Sequence, residues 1–360
     1  MTIDKSTQNI IYILKGLILV IFDNSLIRYM MHSNNNNFKK LWNFSIGFYG
    51  TWIVHIGRSM RLFNEIAVRE PISVNSLILK TGFYAPAVKA WCSAAISFGL
   101  IKEKNGKLMV TKQIKNLLLD VKYPKYLGGQ FSYLTLRSLD FSGLDDLFRL
   151  GKTTGVHSMT HAIDEATDWE HFAFLSHVRR SNKDLNTLLT RGCKVLDVGC
   201  GTGTLIEKMY EVYPKSNFTG IEPLDHVAKI AQEKLTEINE DIRILNYSGE
   251  SMDFSNEFDL IFLGESLYLA KDKRKVIFNC HKALKTGRTI AILEGLIPES
   301  KSLMCTEENK LIMGMQLDFT FQGYEFMNKS EIIELLKSAN FCKVKFKNIG
   351  GAVFIITAKK

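Results

Sequence analysis

Residues 194–203 read KVLDVGCGTG, and this stretch decides the fold. Lys194 to Val198 is a short apolar run with β-branched members, the pattern of a strand buried in a parallel sheet. Gly199, Gly201 and Gly203 then alternate with other residues. Glycine adopts positive φ freely and lets backbone approach a ligand closely, so a strand that ends in G-x-G-x-G and opens a helix builds a binding turn. The helix runs from Thr204 to Val212.

The spacing departs from the dinucleotide fingerprint G-x-G-x-x-G, because the glycine after Gly201 comes two residues on and not three. Asp197 stands two residues before the first glycine. The pattern D-x-G-x-G-x-G resembles the first motif of the class I S-adenosylmethionine-dependent methyltransferases. In that family the acid orients the methionyl ammonium, and the glycine turn leaves room for the amino-acid end and the ribose. The resemblance implies S-adenosylmethionine as cofactor, S-adenosylhomocysteine as product, and contacts from Asp197, Gly199, Cys200, Gly201 and Gly203. The plainer reading is a tight structural turn, so the downstream residues have to decide.

They do so in order. Asn217 to Glu222 reads as a second strand ending in an acid, 25 residues after Asp197. An acid at the tip of the second strand of a βαβ unit can accept both hydrogen bonds of a ribose diol, which marks Glu222 and the adjoining Pro223 as cofactor residues. Leu224 to Ile238 has helical apolar spacing. Ile242 to Asn246 makes a third strand, followed by Ser248, Gly249 and Glu250. Family members usually carry an acid near that turn, against the adenine amino group. Here Ser248 holds the place, and Glu250 is the substitute two residues on.

Phe258 to Leu263 is a fourth strand, ended beside the sulfonium by Gly264 and Glu265. Lys275 to Leu284 fits a helix, Thr286-Gly287 its exit, and Thr289 to Glu294 a fifth strand. Lys329 to Ala339 gives a last helix, and 343–346 with 352–357 a closing strand pair. The expected fold is α/β: a Rossmann-like, seven-stranded, mostly parallel sheet with helices on both faces, over about residues 181–360.

A chain of 360 residues exceeds one ordinary domain, and 46% hydrophobic residues can fill two cores. The six cysteines show no C-x-x-C pair, which argues for a reducing, cytoplasmic setting; they read as small buried hydrophobes. The eight histidines show no ligand spacing, so no metal is expected. Charge is uneven: residues 1–150 carry 19 Lys and Arg against 9 Asp and Glu, while the rest of the chain nets −1. A basic amino-terminal half invites a nucleic-acid reading.

Ile10 to Phe22 is an apolar run split by Lys15 and Gly16, too short to span a bilayer and lacking a cleavage site. An interface helix is the first reading, and peripheral contact with membrane or lipid the second. Residues 41–68 are aromatic and aliphatic nearly all round, which places them buried in a homodimer interface.

Ile72 to Thr111 has the outline of a winged helix: helices at 74–80 and 85–98, then strands flanking Asn105-Gly106, a strong hairpin signal. The second helix offers one basic side chain, Lys89, and no Arg, Asn or Gln to read base edges. It is built for protein contact, and nucleic acid is not the expected partner.

An aromatic helical segment, a winged helix and a methyltransferase domain together resemble the small-molecule O-methyltransferases, in which the winged helix mediates dimerisation. The expected division is a helical and winged-helix dimerisation domain at 1–125, a helical linker at 126–180 and the cofactor-binding domain at 181–360. In the family the linker and an insertion after the fifth strand, here 302–327, wall the acceptor pocket. Their Met and Phe residues imply a small apolar or aromatic, or prenylated, acceptor.

A hydroxyl acceptor must lose a proton. The plant enzymes of this type place a histidine base just past the fourth strand, where this chain has Tyr268, a poor base at neutral pH. His161, His171 and Glu265 are the other candidates. The methylated atom stays open among oxygen, nitrogen and carbon, with oxygen favoured. A winged-helix regulator or RNA-modifying methyltransferase is the competing reading. Against it stand the unreadable second helix and the absence of a D/N-P-P-Y/F motif.

Overall fold

The computed structural model describes residues 36–123, 125–154 and 160–360. The apolar run at 10–22 lies outside them, as do His157 and Met159 of the linker. The amino-terminal half is mainly helical: α1 (Asn36–Ser59), α2 (Leu62–Val68), α3 (Val74–Thr81), α4 (Ala85–Ser97), the hairpin β1 (Lys102–Lys104) and β2 (Lys107–Met109), α5 (Lys112–Leu118), α6 (Gly128–Ser138) and α7 (Leu144–Leu150). Its ends follow local chemistry. Ser73 caps α3 by accepting from Ser76 N–H, Pro86 sits in the first turn of α4, and Thr111 caps α5. Asn105 and Gly106 both take positive φ, as the tight hairpin turn requires.

This half has its own core, with Phe63, Ile66, Leu77, Trp91 and Leu108 buried in it. Trp91 meets Phe63 edge-on at 5.2 Å and donates from Nε1 to the Ile53 carbonyl at 3.0 Å. Of residues 41–68, expected to be buried in a homodimer interface, the single chain buries Val54 and Gly57 of α1 and Leu62, Phe63 and Ile66 of α2. Farther up α1, Leu41, Phe44, Phe48 and Tyr49 are each at least 55% exposed. No helix among the described residues is long and apolar enough to cross a membrane.

The second half continues with α8 (Thr160–Ser181), α9 (Lys183–Arg191), β3 (Lys194–Val198), α10 (Thr204–Val212), β4 (Asn217–Ile221), α11 (Asp225–Thr236), β5 (Arg243–Leu245) and β6 (Phe258–Gly264). It closes with α12 (Lys273–Ala283), β7 (Leu284–Gly295), α13 (Lys301–Met304), α14 (Lys310–Gln322), α15 (Lys329–Ser338), β8 (Cys342–Gly350) and β9 (Val353–Lys359). Seven strands form one sheet in the order β5-β4-β3-β6-β7-β9-β8. The first five are parallel, and β9 runs antiparallel to both β7 and β8. Apolar clusters fill both faces, so β3 and β6 are buried along nearly their whole length.

Two expectations need correction. The seventh strand starts at Leu284 and passes through Thr286-Gly287, because Leu284 already pairs with Phe258 and a bulge absorbs the extra residues. Cys305 and Cys342 are exposed and Cys193 half-buried; only Cys92, Cys200 and Cys280 are the buried hydrophobes expected of all six.

The halves are joined by charged side chains with few alternatives. Arg58 of α1 donates to the Leu118 and Gly128 carbonyls, Ser132 Oγ, Tyr126 OH and Glu165, which ties α1 to α6 and α8. Gly129 lets α6 lie directly against α8, since a Cβ there would fall 1.9 Å from the Glu165 carbonyl oxygen. Arg137 of α6, only 1% exposed, grips Asp318 of α14 at 2.5 Å, and Tyr133 OH reaches the same carboxylate at 3.2 Å.

Candidate active site

Ligands of open α/β sheets bind outside the carboxyl ends of the strands. In spatial order β4, β3, β6 and β7 here present Glu222, Asp197, Glu265 and Glu294 at those ends. Four neighbouring strand tips thus carry four carboxyls.

The turn after β3 is held from below, where Gly199 and Cys200 donate to the Ile221 carbonyl at 2.9 and 3.0 Å. Gly199, Gly201 and Gly203 all take positive φ, but for different reasons. A Cβ on Gly199 would meet Ser266 Cβ at 2.6 Å, and one on Gly203 would meet Leu235 at 2.5 Å, so both are packing glycines. Gly201 faces open space, with nothing nearer than Asp164 Oδ1 at 4.0 Å. The cradle that a nucleoside needs is therefore present at the middle glycine.

Glu222 accepts from Gly201 N–H at 3.1 Å and from Leu224 N–H at 3.0 Å, so the second acid also shapes the turn. Burial raises its carboxyl, and those two donors pull it part of the way back. Asn246 holds the Glu222 and Pro223 carbonyls at 2.9 and 3.0 Å. Asp197, 4% exposed, is lifted to about 7 by burial and by the neighbouring Glu222. A cationic ammonium beside it would restore its charge, which fits the donor set to an amino-acid end.

At the third turn Ser248 N–H is taken by Ser251 Oγ, and Gly249 packs on Val276 and Val198. Glu250 Oε1 accepts from Lys271 and Asp272 N–H. Burial raises Glu250, but backbone donors outweigh it and hold the carboxyl below its usual range. Glu250, offered by the sequence as a substitute for the adenine acid, thus holds the Lys271–Asp272 loop through one of its two oxygens. Cys200 is a buried thiol pushed well up by burial and the nearby acids, hence unreactive.

The other side is aromatic. Gly264 ends β6 under the Phe262 ring, and Ser266 Oγ donates to the Val198 carbonyl at 2.7 Å, so the loop carrying Glu265 lies against the glycine turn. Tyr268 stacks on Phe319 at 4.7 Å and Phe319 on Phe326 at 4.4 Å, with Met313 and Met315 packed beside them. Tyr268 N–H donates to Glu294 Oε1 at 2.9 Å, and Gly295 N–H to Glu265 Oε1 at 3.0 Å. Glu294 Oε2 and Glu170 Oε2 are buried with no partner among the described residues. Burial lifts Glu265 to about 8, and burial plus the other acids lifts Glu170 and Glu294 well above the carboxylate range.

The base candidates separate on this geometry. Burial and the surrounding acids raise Tyr268 well above its ordinary value, so its hydroxyl keeps its proton. His171 faces Lys208 and Lys234, and burial with those two cations drives it down to about 3, too low to take a proton near neutrality. His161 belongs to α8, and its side chain lies outside the described part. Glu265 stands beside the turn together with Glu170 and Glu294, which the sequence reading missed. Glu294 had a signal: an acid closing an apolar strand, the logic that picked Glu222. Glu170 lies in an ordinary helical stretch and had none. Among the described residues no cluster of His, Cys, Asp or Glu is arranged to hold a metal ion.

Residues 195–287 match the family model described as a methyltransferase domain. The chain is 24% identical over 222 residues to a demethylmenaquinone methyltransferase of Listeria monocytogenes serotype 4a, an alignment covering 56% of this chain and 93% of that protein. It is 33% identical over 152 residues to eugenol O-methyltransferase of Sorghum bicolor, covering 41% of this chain and 38% of that one. In fold it is similar to human N-acetylserotonin methyltransferase, solved in complex with its cofactor SAM, with a TM-score of 0.71 and 18% identity over 91% of this chain and 99% of that one.

Proposed function

Starting from a chain that is an S-adenosylmethionine-dependent methyltransferase of the class I fold, we propose that its acceptor is a small apolar or aromatic metabolite methylated on oxygen. The observation that carries this reading is the stack of Tyr268, Phe319 and Phe326 packed beside the carboxyl-bearing loop that lies on the glycine turn. Flat apolar walls next to a few convergent polar groups suit a ring bearing a hydroxyl. Relatives named for demethylmenaquinone and eugenol favour an acceptor of that kind.

Asp197, the Gly201 turn and Glu222 would hold S-adenosylmethionine, which when bound supplies a methyl group on a sulfonium and is left as S-adenosylhomocysteine. The rest falls to positioning, which can contribute several kcal/mol to such a displacement. Glu265, with Glu294 behind it, is the group we assign to receive the acceptor proton. A carboxyl held near neutrality by burial suits general-base work better than a free one. The exposed aromatic face of α1, with the winged-helix segment at 72–111, is assigned to a homodimer. On this reading residues up to 125 form the dimerisation domain and 126–180 the linker that walls the acceptor side.

The test separates the two sides of the site. Met315→Gln and Phe319→Gln should abolish methyl transfer to a panel of phenols while calorimetric binding of S-adenosylhomocysteine stays within about twofold. Equal loss of both would return the stack to plain core and remove the acceptor assignment.

A further inference from the structure

At the far end of the sheet from the methyl-transfer site lies a cleft of about 630 Å³, between the α8–α9 joint and the outer strands β8 and β9. Thr289 of β7 pairs with Lys359 of β9 in the cleft, while Gly295 at the site pairs with Val353. At roughly 3.3 Å per residue the two places are about 20 Å apart along the strands.

Its walls are basic. Lys345 and Lys347 come from β8 with the period of two that puts them on one face, Lys343 from the irregular start of that strand, Arg180 and Lys183 from either side of the helix joint, and Arg288 and Lys359 from the paired strands. Asp184 is the single carboxylate lining the cleft. Arg288 is matched outside it by Asp259 at 3.0 Å, but among the described residues no ion pair joins the other six cations to an acid. The charges feel one another. Burial lowers the Lys359 ammonium, Asp184 offsets part of that, and Arg288, Lys343 and Lys345 lower it further. His177, on the same wall, has a buried Nδ1 without a hydrogen-bond partner and is lowered by burial and by Lys347.

Lysines on an edge strand commonly serve to block pairing with another chain. That accounts for β8, but not for arginines and lysines from α8, α9 and β7 lining the same open cleft with Leu185 and Ile355. Guanidinium forks and ammonium groups gathered this way suit phosphate oxygens. The volume suits a small molecule or a headgroup and not the track of a polymer.

We propose that this cleft binds a small ligand bearing clustered phosphates, either free or as the headgroup of a phosphorylated inositol lipid. The site is independent of the methyl-transfer reading. Inositol trisphosphate, titrated calorimetrically into the whole chain at physiological salt, should bind, and a Lys345→Glu, Lys347→Glu double variant should lose at least about tenfold in affinity. S-adenosylhomocysteine binding, measured on the same samples, should not move, which keeps a folding failure or an error in the cofactor assignment distinguishable. Arg180→Gln, on a separate element, should weaken inositol trisphosphate in the same direction. Flotation with phosphatidylcholine vesicles, with and without phosphatidylinositol bisphosphate, identifies the source: capture only by the phosphorylated vesicles means a lipid, and binding of the soluble headgroup without capture means a free ligand. Absence of binding in both arms would overturn the proposal. So would unchanged affinity in the charge-reversed variant, or tighter, steeply salt-dependent binding of an RNA oligomer that the variant loses, since that would make the face a polyelectrolyte surface.

Discussion

The four strand-tip carboxyls divide into two pairs that treat the same chemical group in opposite ways. On the proposed cofactor side Glu222 takes one backbone N–H from the glycine turn it faces and one from its own loop, and Asp197 sits one strand over, lifted to about 7. On the acceptor side Glu294 and the helical Glu170 each keep a buried oxygen without a partner, and with Glu265 all three are raised. Buried polar atoms are usually satisfied, so orphaned oxygens mark a place where a ligand or a proton completes the arrangement. The lesson is that the side assigned to the cofactor is shaped by nearly contiguous chain, while the side assigned to the acceptor is a gathering of distant elements that keeps two buried oxygens without partners among the described residues.

If that contrast is right, the acceptor side should be fragile as a structure. Arg137 and Asp318 pin its wall together and both are buried, with Asp318 6% exposed. Asp318→Ala leaves the buried Arg137 guanidinium with Asp140 as its remaining carboxylate, at 2.7 Å, so the loss falls at the low end of the about 3–5 kcal/mol that breaking a buried pair costs. Urea unfolding should show a loss of that size, with cofactor binding retained by whatever fraction stays folded. A loss under about 1 kcal/mol would mean the wall does not depend on the pair.

The cofactor side breaks more selectively. Gly199→Ala combines a left-handed backbone, which costs an ordinary residue about 1–2 kcal/mol, with a side chain pressed on Ser266, for roughly 2–4 kcal/mol of stability in all. Gly201→Ala carries only the backbone cost but projects toward the ligand, so it should weaken S-adenosylmethionine binding more than it weakens the fold. Finding the reverse ranking would exchange the roles assigned to the two glycines. Glu222→Gln should cost about 1.5–3 kcal/mol of cofactor affinity, the size of hydrogen bonds to a charged acceptor, and should also lower the thermal midpoint, because its amide NH2 would face the N–H of Gly201 or Leu224.

Legibility followed the same divide. The βαβ unit that brings Asp197, the glycines and Glu222 to one turn was readable because it spans fewer than thirty residues, and the periodicities of β3, α10 and β4 are undisturbed. The seven-stranded sheet followed from alternating elements. The backbone partners of Glu250 were not legible, because Lys271 and Asp272 lie twenty residues on, in a loop that no periodicity places. Glu170 and the Arg137–Asp318 pair escaped altogether, since a charged residue in a helix reads as solvated until a second helix from far along the chain covers it.

The pH profile is the most diagnostic measurement, because it asks whether the raised acids face the sulfonium. Glu265 titrates at about 8 in the folded chain against 4.5 for the free group. Between those values the folded chain keeps a proton that the unfolded chain has released, so stability falls as pH rises through the window and is level outside it. One such group contributes at most about 1.4 kcal/mol per pH unit. Asp197 adds a fall of the same sign between 3.8 and about 7. Urea midpoints of the unliganded chain, followed from about pH 5 to about pH 8, should therefore decline, and Glu265→Gln should make the decline shallower. S-adenosylmethionine and S-adenosylhomocysteine share the ammonium assigned to Asp197 and differ by the positive charge on sulfur, so on the proposed reading saturating with either should remove the Asp197 contribution while only the first should ionise Glu265. The methylated ligand should flatten the profile more than its product does. Identical flattening would place the sulfonium away from Glu265 and leave the acceptor proton to another group.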